Sequence, residues 1–193
     1  MGKLILNIND VNCVQKVAKH LLENELAIIP CDTIYGIVGV VGKSEHKLRV
    51  LKGRGETKYF IELVTLEMAK EIARSPIDEN VLAFWPGRLT AIVLDKTNRT
   101  KAIRVPNDKF LLQILDLVNS PIYSTSVNLA GEKPYTDFKQ MVANFEYDIS
   151  LFVEGFIAQE AQPSTIIDIT TFPYRLIRQG EVDVTSLLNL SRL

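Results

Sequence analysis

Two cations flank a glycine in the stretch Lys52-Gly53-Arg54-Gly55, and this is where the chain is best equipped to hold anions. Glycine lets the backbone bend and approach a ligand closely, so both cations are predicted to lie on a bend that ends a helix. The Lys52 ammonium is a compact point charge, whereas the Arg54 guanidinium is a planar fork suited to carboxylate or phosphate. The stretch indicates a site for two different anionic groups. A solvent-exposed basic turn is the alternative.

Four further polar clusters are predicted at strand ends. Together with the first stretch they supply hydroxyls, amides, backbone N–H groups and three cations, a combination that suits phosphates and a carboxylate. Taken singly, each cluster is also typical of a helix cap or a turn. Neither a GxxxxGK[ST] nor a GxGxxG sequence occurs, so no familiar nucleotide-binding loop supports the phosphate interpretation. The four clusters are Asp32-Thr33-x-Tyr35-Gly36, Ser124-Thr125-Ser126-x-Asn128, Ser164-Thr165 and Arg178-Gln179-Gly180.

Strands and helices that would position these clusters alternate along the chain, which favours one α/β domain over residues 1–193 with a large mixed sheet. The predicted strands are 3–8, 26–30, 34–41, 59–64, 89–94, 102–105, 121–125, 151–153, 165–169 and 175–177. The predicted helices are one capped by Asp10, 44–51, one running from a Thr65 cap to Arg74, one that Pro76 and Asp78 start and that ends near Trp85, one capped by Asn107 or Asp108, 136–144 and 183–190.

Composition excludes several classes of protein. With 22 basic and 23 acidic residues, the formal charge of −1 indicates no broad basic surface for nucleic-acid phosphates. The sequence shows no run of clustered cations either, which leaves a basic patch formed by folding as the alternative. The N-terminal apolar run is too short for a signal peptide and no stretch reaches membrane-spanning length, so a cytoplasmic protein without membrane contact is the expectation. No metal site is predicted, because the two cysteines are too few ligands and His20 and His46 lack metal spacing.

Taken in order, the clusters resemble the YrdC-like domain of threonylcarbamoyl-AMP synthases. Any one match is weak, but seven in series over residues 30 to 180 are specific. The matching stretches are Pro30-Cys31-Asp32-Thr33-Ile34-Tyr35-Gly36, Lys52-Gly53-Arg54, Trp85-Pro86-Gly87-Arg88-Leu89-Thr90, Arg104-Val105-Pro106, Ser124-Thr125-Ser126-Val127-Asn128-Leu129-Ala130-Gly131, Pro163-Ser164-Thr165-Ile166-Ile167-Asp168 and Arg178-Gln179-Gly180.

The resemblance implies a fold and a reaction. The fold would be a single α/β domain in which a twisted, open mixed sheet and its helices surround a concave, positively charged cavity. The reaction would join L-threonine, bicarbonate and ATP into threonylcarbamoyl-adenylate and release pyrophosphate. A tRNA threonylcarbamoyl-transfer complex would then receive the product, and the chain would be the short, bacterial-type form of the family.

The resemblance also implies roles for individual residues. Lys52, Arg54 and Arg178 would bind the triphosphate and the threonine carboxylate, with Lys52 and Arg54 as the catalytic pair. Magnesium would arrive bound to ATP, because no carboxylate cluster offers a dedicated site. The remaining predicted contacts are Thr33 and Tyr35 with threonine, Ser126 and Asn128 with nucleotide or carbamate, Ser124 near them, and Ser164 at the nucleotide end.

Several departures from the family pattern, of which two are named here, and two alternative functions accompany this interpretation. Cys31 stands where the family more often has threonine, and Gly55 replaces a proline after Arg54. The first alternative is a protein that binds double-stranded RNA, or associates with ribosomes, through the same cavity. The second is the related domain that handles carbamoyl-adenylate during hydrogenase maturation, which normally sits in a much longer chain.

Overall fold

A mixed β-sheet organises the chain in the computed structural model, which describes residues 2–53, 59–129, 131–158 and 160–190. Across these residues the strands follow the order β1-β8-β2-β3-β7-β4-β6-β5-β9-β10. The strands are β1 (Leu4–Asn7), β2 (Ala27–Ile29), β3 (Gly36–Val40), β4 (Ile61–Leu63), β5 (Leu89–Leu94), β6 (Thr100–Arg104), β7 (Ile122–Ser126), β8 (Leu151–Glu154), β9 (Thr165–Asp168) and β10 (Arg175–Arg178). Every strand overlaps a range predicted from the sequence, and the mixed α/β sheet is confirmed.

Helices cover both faces of this sheet. They are α1 (Cys13–Leu22), α2 (Glu45–Lys52), α3 (Leu66–Ile72), α4 (Glu79–Leu82), α5 (Lys109–Val118), α6 (Phe138–Phe145) and α7 (Thr185–Leu188). Within the described ranges, none of them combines the length and apolar character needed to cross a membrane.

Side-chain caps fix several helix starts. The predicted cap Thr65 is confirmed, Asp108 is the cap of the two residues predicted for α5, and Asp78, predicted at a helix start, caps α4. Each accepts a hydrogen bond from a backbone N–H in the first turn of its helix. The predicted cap at Asp10 is wrong. Its carboxylate instead accepts from the N–H of Asn7 and closes the turn after β1, so that α1 begins only at Cys13.

The apolar strands divide their side chains between two cores because successive residues of a strand point to opposite faces. In β2, Ile29 packs in a cluster with residues of α1 and α5, whereas Ile28 packs in a cluster with residues of α2 and α6. A third cluster joins β5, β6 and β9 to α3 and α7. Burial on both faces explains why these strands read as continuous apolar runs.

The register of the strands brings the polar clusters together. In the antiparallel pair β3–β7, Gly36 lies opposite Ser126, so the segment before β3 emerges beside the end of β7. The parallel pair β5–β9 begins with Leu89 opposite Thr165, which places Ser164 at the same edge of that pair as the start of β5. Strand pairing therefore gathers residues that are far apart in the sequence.

Candidate active site

Strand ends surround a cavity of about 240 Å³. Six of the residues predicted for substrate binding line it: Thr33, Tyr35, Ser124, Ser126, Ser164 and Arg178. None of the described lining residues is acidic, and two are arginines. The other lining residues are Ile34, Tyr59, Ile61, Arg104, Thr125, Pro134, Pro163 and Ile166.

Thr33 and Tyr35 reach the cavity from the segment that precedes β3. The Tyr35 hydroxyl donates to the carbonyl of Gly155 at 2.7 Å and accepts from the Gly155 N–H at 2.9 Å. Burial raises the pKa of this phenol, so the hydroxyl remains a donor at neutral pH. The two bonds fix the ring of Tyr35 against Gly155, which follows β8. Because the hydroxyl is already bonded, the ring is the part of Tyr35 left to contact a ligand.

Ser124 and Ser126 lie on one face of β7, two residues apart, as the period of a strand requires. Gly36 of the neighbouring strand leaves room for Ser124 and Cys31, because a Cβ atom at position 36 would lie 2.9 Å from both Ser124 Oγ and Cys31 Sγ. Burial raises the pKa of the Cys31 thiol to about 12. Cys31 therefore stays protonated and fills space beside Ser124 rather than acting as a nucleophile.

Lys52, the last residue of α2, holds the end of β7 and the segment that follows it. The residue is 3% exposed, and its Nζ donates to Ser126 O at 2.9 Å, Asn128 O at 2.6 Å and Asn128 Oδ1 at 2.7 Å. Asn128 Oδ1 also accepts from the Ser126 hydroxyl, and Asn128 Nδ2 donates to the carbonyls of Leu129 and Glu132. The ammonium thus fixes the segment that follows β7.

The direct contacts of Lys52 and Asn128 with substrate stay predictions, since the described cavity lining includes neither residue. Lys52 is the last residue of α2, one residue beyond the predicted helix, and Gly53 ends the helix in the left-handed conformation with φ 54°. Arg54, the second cation of the stretch, lies outside the described residues, as does Gly55.

Ser164, the residue before β9, and Arg178, the last residue of β10, both line the cavity. Arg178 donates through Nε and Nη2 to the Ser164 carbonyl at 3.1 and 2.7 Å. The buried Ser164 hydroxyl lies 2.8 Å from Thr90 Oγ1. The bonds from Arg178 to the Ser164 carbonyl tie the guanidinium to the residue that precedes β9. Both side chains are therefore held at fixed positions along the cavity wall.

Arg104 is the residue that the sequence interpretation left without a role. Its side chain is buried at the end of β6, lines the cavity and forms an ion pair with Asp32. Among the described residues, no hydrogen-bond partner meets its buried Nε. A buried cation that lines a cavity and keeps one unpaired donor is a candidate for holding an anion.

A signal for Arg104 was present in the sequence. Arg104 lies between Ile103 and Val105 in an apolar stretch predicted to be a strand, so its side chain was a candidate for burial. A charge buried in this way needs a partner. Asp32 was the available carboxylate, although nothing in the spacing of two residues so far apart identified the pair. No group of three or more His, Cys, Asp and Glu side chains that could hold a metal ion occurs within the described part of the chain.

Comparison with known proteins identifies relatives of this fold. The Sua5/YciO/YrdC family model, described as telomere recombination, matches residues 19–180. A threonylcarbamoyl-AMP synthase of Pyrococcus abyssi is 27% identical in an alignment of 184 positions, which covers 86% of this chain and 54% of that protein. The chain thus spans little more than half the length of this relative.

Two solved structures share the architecture. P. abyssi Sua5 complexed with L-threonine superposes with a TM-score of 0.82 at 24% identity, over 92% of this chain and 58% of that one. E. coli YciO superposes with a TM-score of 0.81 at 18% identity, over 97% of this chain and 100% of that one. At these identities the likeness shows the fold. Because the family model covers most of the residues, the chain belongs to the Sua5/YciO/YrdC family.

Proposed function

We propose that this protein is an L-threonylcarbamoyladenylate synthase, a nucleotidyltransferase that forms threonylcarbamoyl-AMP and pyrophosphate from L-threonine, bicarbonate and ATP. The observation that carries the proposal is a single cavity lined by two arginines and several hydroxyls, with no acidic side chain among its described lining residues. Such a lining attracts anions and gives them hydrogen-bond donors. The P. abyssi relative bears the same activity in its name, and its structure was solved with L-threonine.

The chemistry requires two anions to meet. Bicarbonate converts the threonine amine into a carbamate with loss of water, and a carbamate oxygen then attacks the α-phosphorus of ATP as pyrophosphate leaves. Both reactants are negatively charged, so the site must offset their repulsion and hold them in line. Positioning of this kind supplies as much as ~7–11 kcal/mol of barrier reduction in well-oriented systems.

Arg104 is the group we assign to the threonine carboxylate. Its Nε is a buried donor in need of an acceptor, and its pairing with Asp32 places it next to Thr33. A charge-assisted bond from a guanidinium to a carboxylate is short and strong, and the fixed Arg104–Asp32 pair aims it in advance. Thr33 then lies where the substrate side chain would be recognised.

Arg178 and the β7 serines are assigned to the phosphate and carbamate groups. Arg178 is tied to Ser164 at one wall, while Ser126 stands on the facing segment that Lys52 holds. The buried Lys52 ammonium is hydrogen-bonded to Ser126 and Asn128 of this wall, and a low dielectric makes its charge effective on charge that builds at phosphorus. Arg54 completes the set in the proposal, and ATP would enter as its magnesium complex.

The proposed product is an activated carbamoyl group, which a tRNA threonylcarbamoyl-transfer complex would pass to tRNA. The test is direct. Purified protein given ATP, L-threonine and bicarbonate should release pyrophosphate only when all three are present, and product should appear as threonylcarbamoyl-AMP by mass spectrometry. Pyrophosphate release that does not depend on threonine would refute the proposal. Salt-dependent binding of duplex RNA without binding of ATP would favour the RNA-binding alternative instead.

A further inference from the structure

The bend that follows β10, residues 179–182, is wrapped around one buried hydroxyl. Thr165 Oγ1 donates to the Val182 carbonyl at 2.7 Å and accepts from the N–H groups of Gly180 and Val182 at 3.0 and 3.1 Å. A threonine hydroxyl has one donor and two acceptor lone pairs, so the bend uses all of its hydrogen-bonding capacity. Thr165 is buried at the start of β9, and the described cavity lining does not include it.

Gly180 brings the backbone of this bend directly onto the backbone before and at the start of β9. A Cβ atom at position 180 would lie 2.5 Å from the Ser164 carbonyl carbon and 2.6 Å from the Thr165 nitrogen. Only a glycine allows so close an approach of two backbone segments. Gln179 Nε2 adds two bonds within the bend, because it donates to the carbonyls of Gly180 and Val182 at 2.8 and 3.0 Å.

The pairing of β10 with β9 is irregular at Arg178, the residue directly before the bend. Between Leu176 and Arg178 the register shifts by one residue, which leaves Ile177 as a bulge. Among the described strands β10 is also the last in the order of the sheet, so its outer edge has no neighbouring strand to hold it. The strand ladder alone therefore defines the position of Arg178 loosely, and the bend supplies a further constraint.

The bend and the Arg178 side chain are held by adjacent residues. Arg178 donates to the carbonyl of Ser164, and the next residue is Thr165, whose hydroxyl holds the bend. A shift of the bend would move the guanidinium along the wall of the cavity that it lines. A misplacement of ~1 Å at a binding group can cost on the order of 100-fold in rate, even when its cause lies outside the site.

We propose that Thr165 is a positioning residue, whose hydroxyl holds the 179–182 bend and thereby sets where the Arg178 guanidinium meets a phosphate group. The inference rests on the proposed function, which assigns Arg178 to phosphate. Thr165 itself contacts no substrate in this assignment. It acts through Arg178.

The experiment measures affinity for inorganic tripolyphosphate by calorimetry, together with the melting temperature of each variant. Thr165→Val keeps the shape of the side chain but removes the hydroxyl, which leaves the N–H groups of Gly180 and Val182 without their acceptor. Thr165→Ser keeps the hydroxyl. Thr65→Val is the matched control, because it removes a threonine hydroxyl that accepts from the N–H of Met68 in α3, outside the described cavity lining.

Thr165→Val should bind tripolyphosphate roughly 10- to 150-fold more weakly, the loss of about one hydrogen bond from a charged donor. Thr165→Ser and Thr65→Val should bind it as wild type does, although Thr65→Val should melt at a lower temperature. Arg178→Ala should lose about as much affinity as Thr165→Val. The two substitutions combined should cause no further loss, because residues that act as one unit are not additive.

A second variant covers the case in which Thr165→Val does not fold. Gln179→Ala removes two bonds from the same bend at an exposed position, and it then takes the place of Thr165→Val in the double variant. Its affinity for tripolyphosphate should fall by roughly 5-fold or more, the loss of two ordinary hydrogen bonds.

The outcomes separate this inference from the proposed function. Additive losses in the double variant would overturn the positioning role and leave Thr165 a residue of stability alone. Wild-type affinity in the bend variant, or no binding of tripolyphosphate by wild-type protein, would overturn it as well. Pyrophosphate release from ATP, L-threonine and bicarbonate tests the synthase separately. Its absence, with the tripolyphosphate results as expected, would refute the synthase and leave the role of Thr165 in place.

Discussion

Replacing Arg104 by lysine is the sharpest test of the anion site, because the structure gives this side chain two separable tasks. Its side chain pairs with Asp32 while both are almost fully buried, at 3% and 5% exposure, and its Nε has no hydrogen-bond partner among the described residues. Arg104→Lys keeps the positive charge opposite Asp32 but removes Nε and the planar fork. The variant should therefore fold and lose ligand binding.

The magnitudes follow from the kind of bond removed. A hydrogen bond from a charged donor contributes about 1.5–3 kcal/mol, so Arg104→Lys should weaken threonine binding by roughly 10- to 150-fold. Its free energy of unfolding should fall by only about 1–3 kcal/mol, the cost of imperfect pairing with a buried carboxylate. Arg104→Ala, by contrast, leaves Asp32 buried without its partner and should cost about 3–5 kcal/mol of stability.

The matched control is Asp32→Asn, which keeps the guanidinium and removes its counter-charge. This variant should lose about 3–5 kcal/mol of stability for the same reason, yet a bound anion then compensates the arginine. Threonine should consequently raise its melting temperature at least as much as it raises that of wild type. Calorimetric titration and thermal unfolding with and without threonine measure both quantities. Threonine affinity within twofold of wild type in folded Arg104→Lys would refute the assignment.

Three further perturbations test other parts of the site. Lys52→Ala should abolish pyrophosphate release and lower the free energy of unfolding by about 1–3 kcal/mol, because it removes three hydrogen bonds from the wall. Arg54→Ala should abolish pyrophosphate release as well. Near-normal activity in both variants would refute these two roles. Gly36→Ala should lower the free energy of unfolding by about 1–3 kcal/mol in urea titrations, because the new methyl group would clash with Cys31 and Ser124. Adding Cys31→Ala should recover part of this loss, and purely additive effects of the two substitutions would contradict the clash. Burial opposes ionisation of Asp168, but the hydrogen bonds that it accepts lower its pKa below the unfolded value. Its stabilising contribution should therefore be present above ~pH 3.9 and vanish as the pH falls through the lower folded pKa. Asp168→Asn should weaken the loss of unfolding free energy at acid pH, and an unchanged dependence on pH would disprove this.

Local sequence signals were sufficient for the elements of this fold. The run at Leu89–Leu94 forms a strand with the predicted bounds. Asp108, one of the two residues predicted to cap α5, is its cap in the structure. Such signals act within a few residues, where propensity and capping chemistry decide the outcome. The error at Asp10 has the same origin, because an aspartate near a helix start can close a turn as readily as it caps a helix.

Partners across the sheet could not be predicted in this way. The strand order sets β7 between β3 and β4, and only that order brings Lys52 within reach of Ser126 and Asn128. Arg104 and Asp32 meet for the same reason across 72 positions of sequence. The resemblance to a family supplied the list of site residues, whereas the physical task of each one depends on these long-range contacts.

Those tasks divide the polar residues of the site into groups that hold the wall and groups that face the ligand. The hydroxyl of Tyr35 and the amide of Asn128 are each bonded within the protein on both donor and acceptor sides. Because their orientations are fixed before any ligand arrives, little conformational entropy remains to be lost on binding. A wall prepared in this way suits a reaction whose main barrier is the approach of two anions, since its dipoles and charges need no reorganisation as charge builds at phosphorus. Weakening a wall-holding bond should therefore lower the rate of the chemical step more than substrate affinity, whereas loss of the Arg104 donor should act first on affinity.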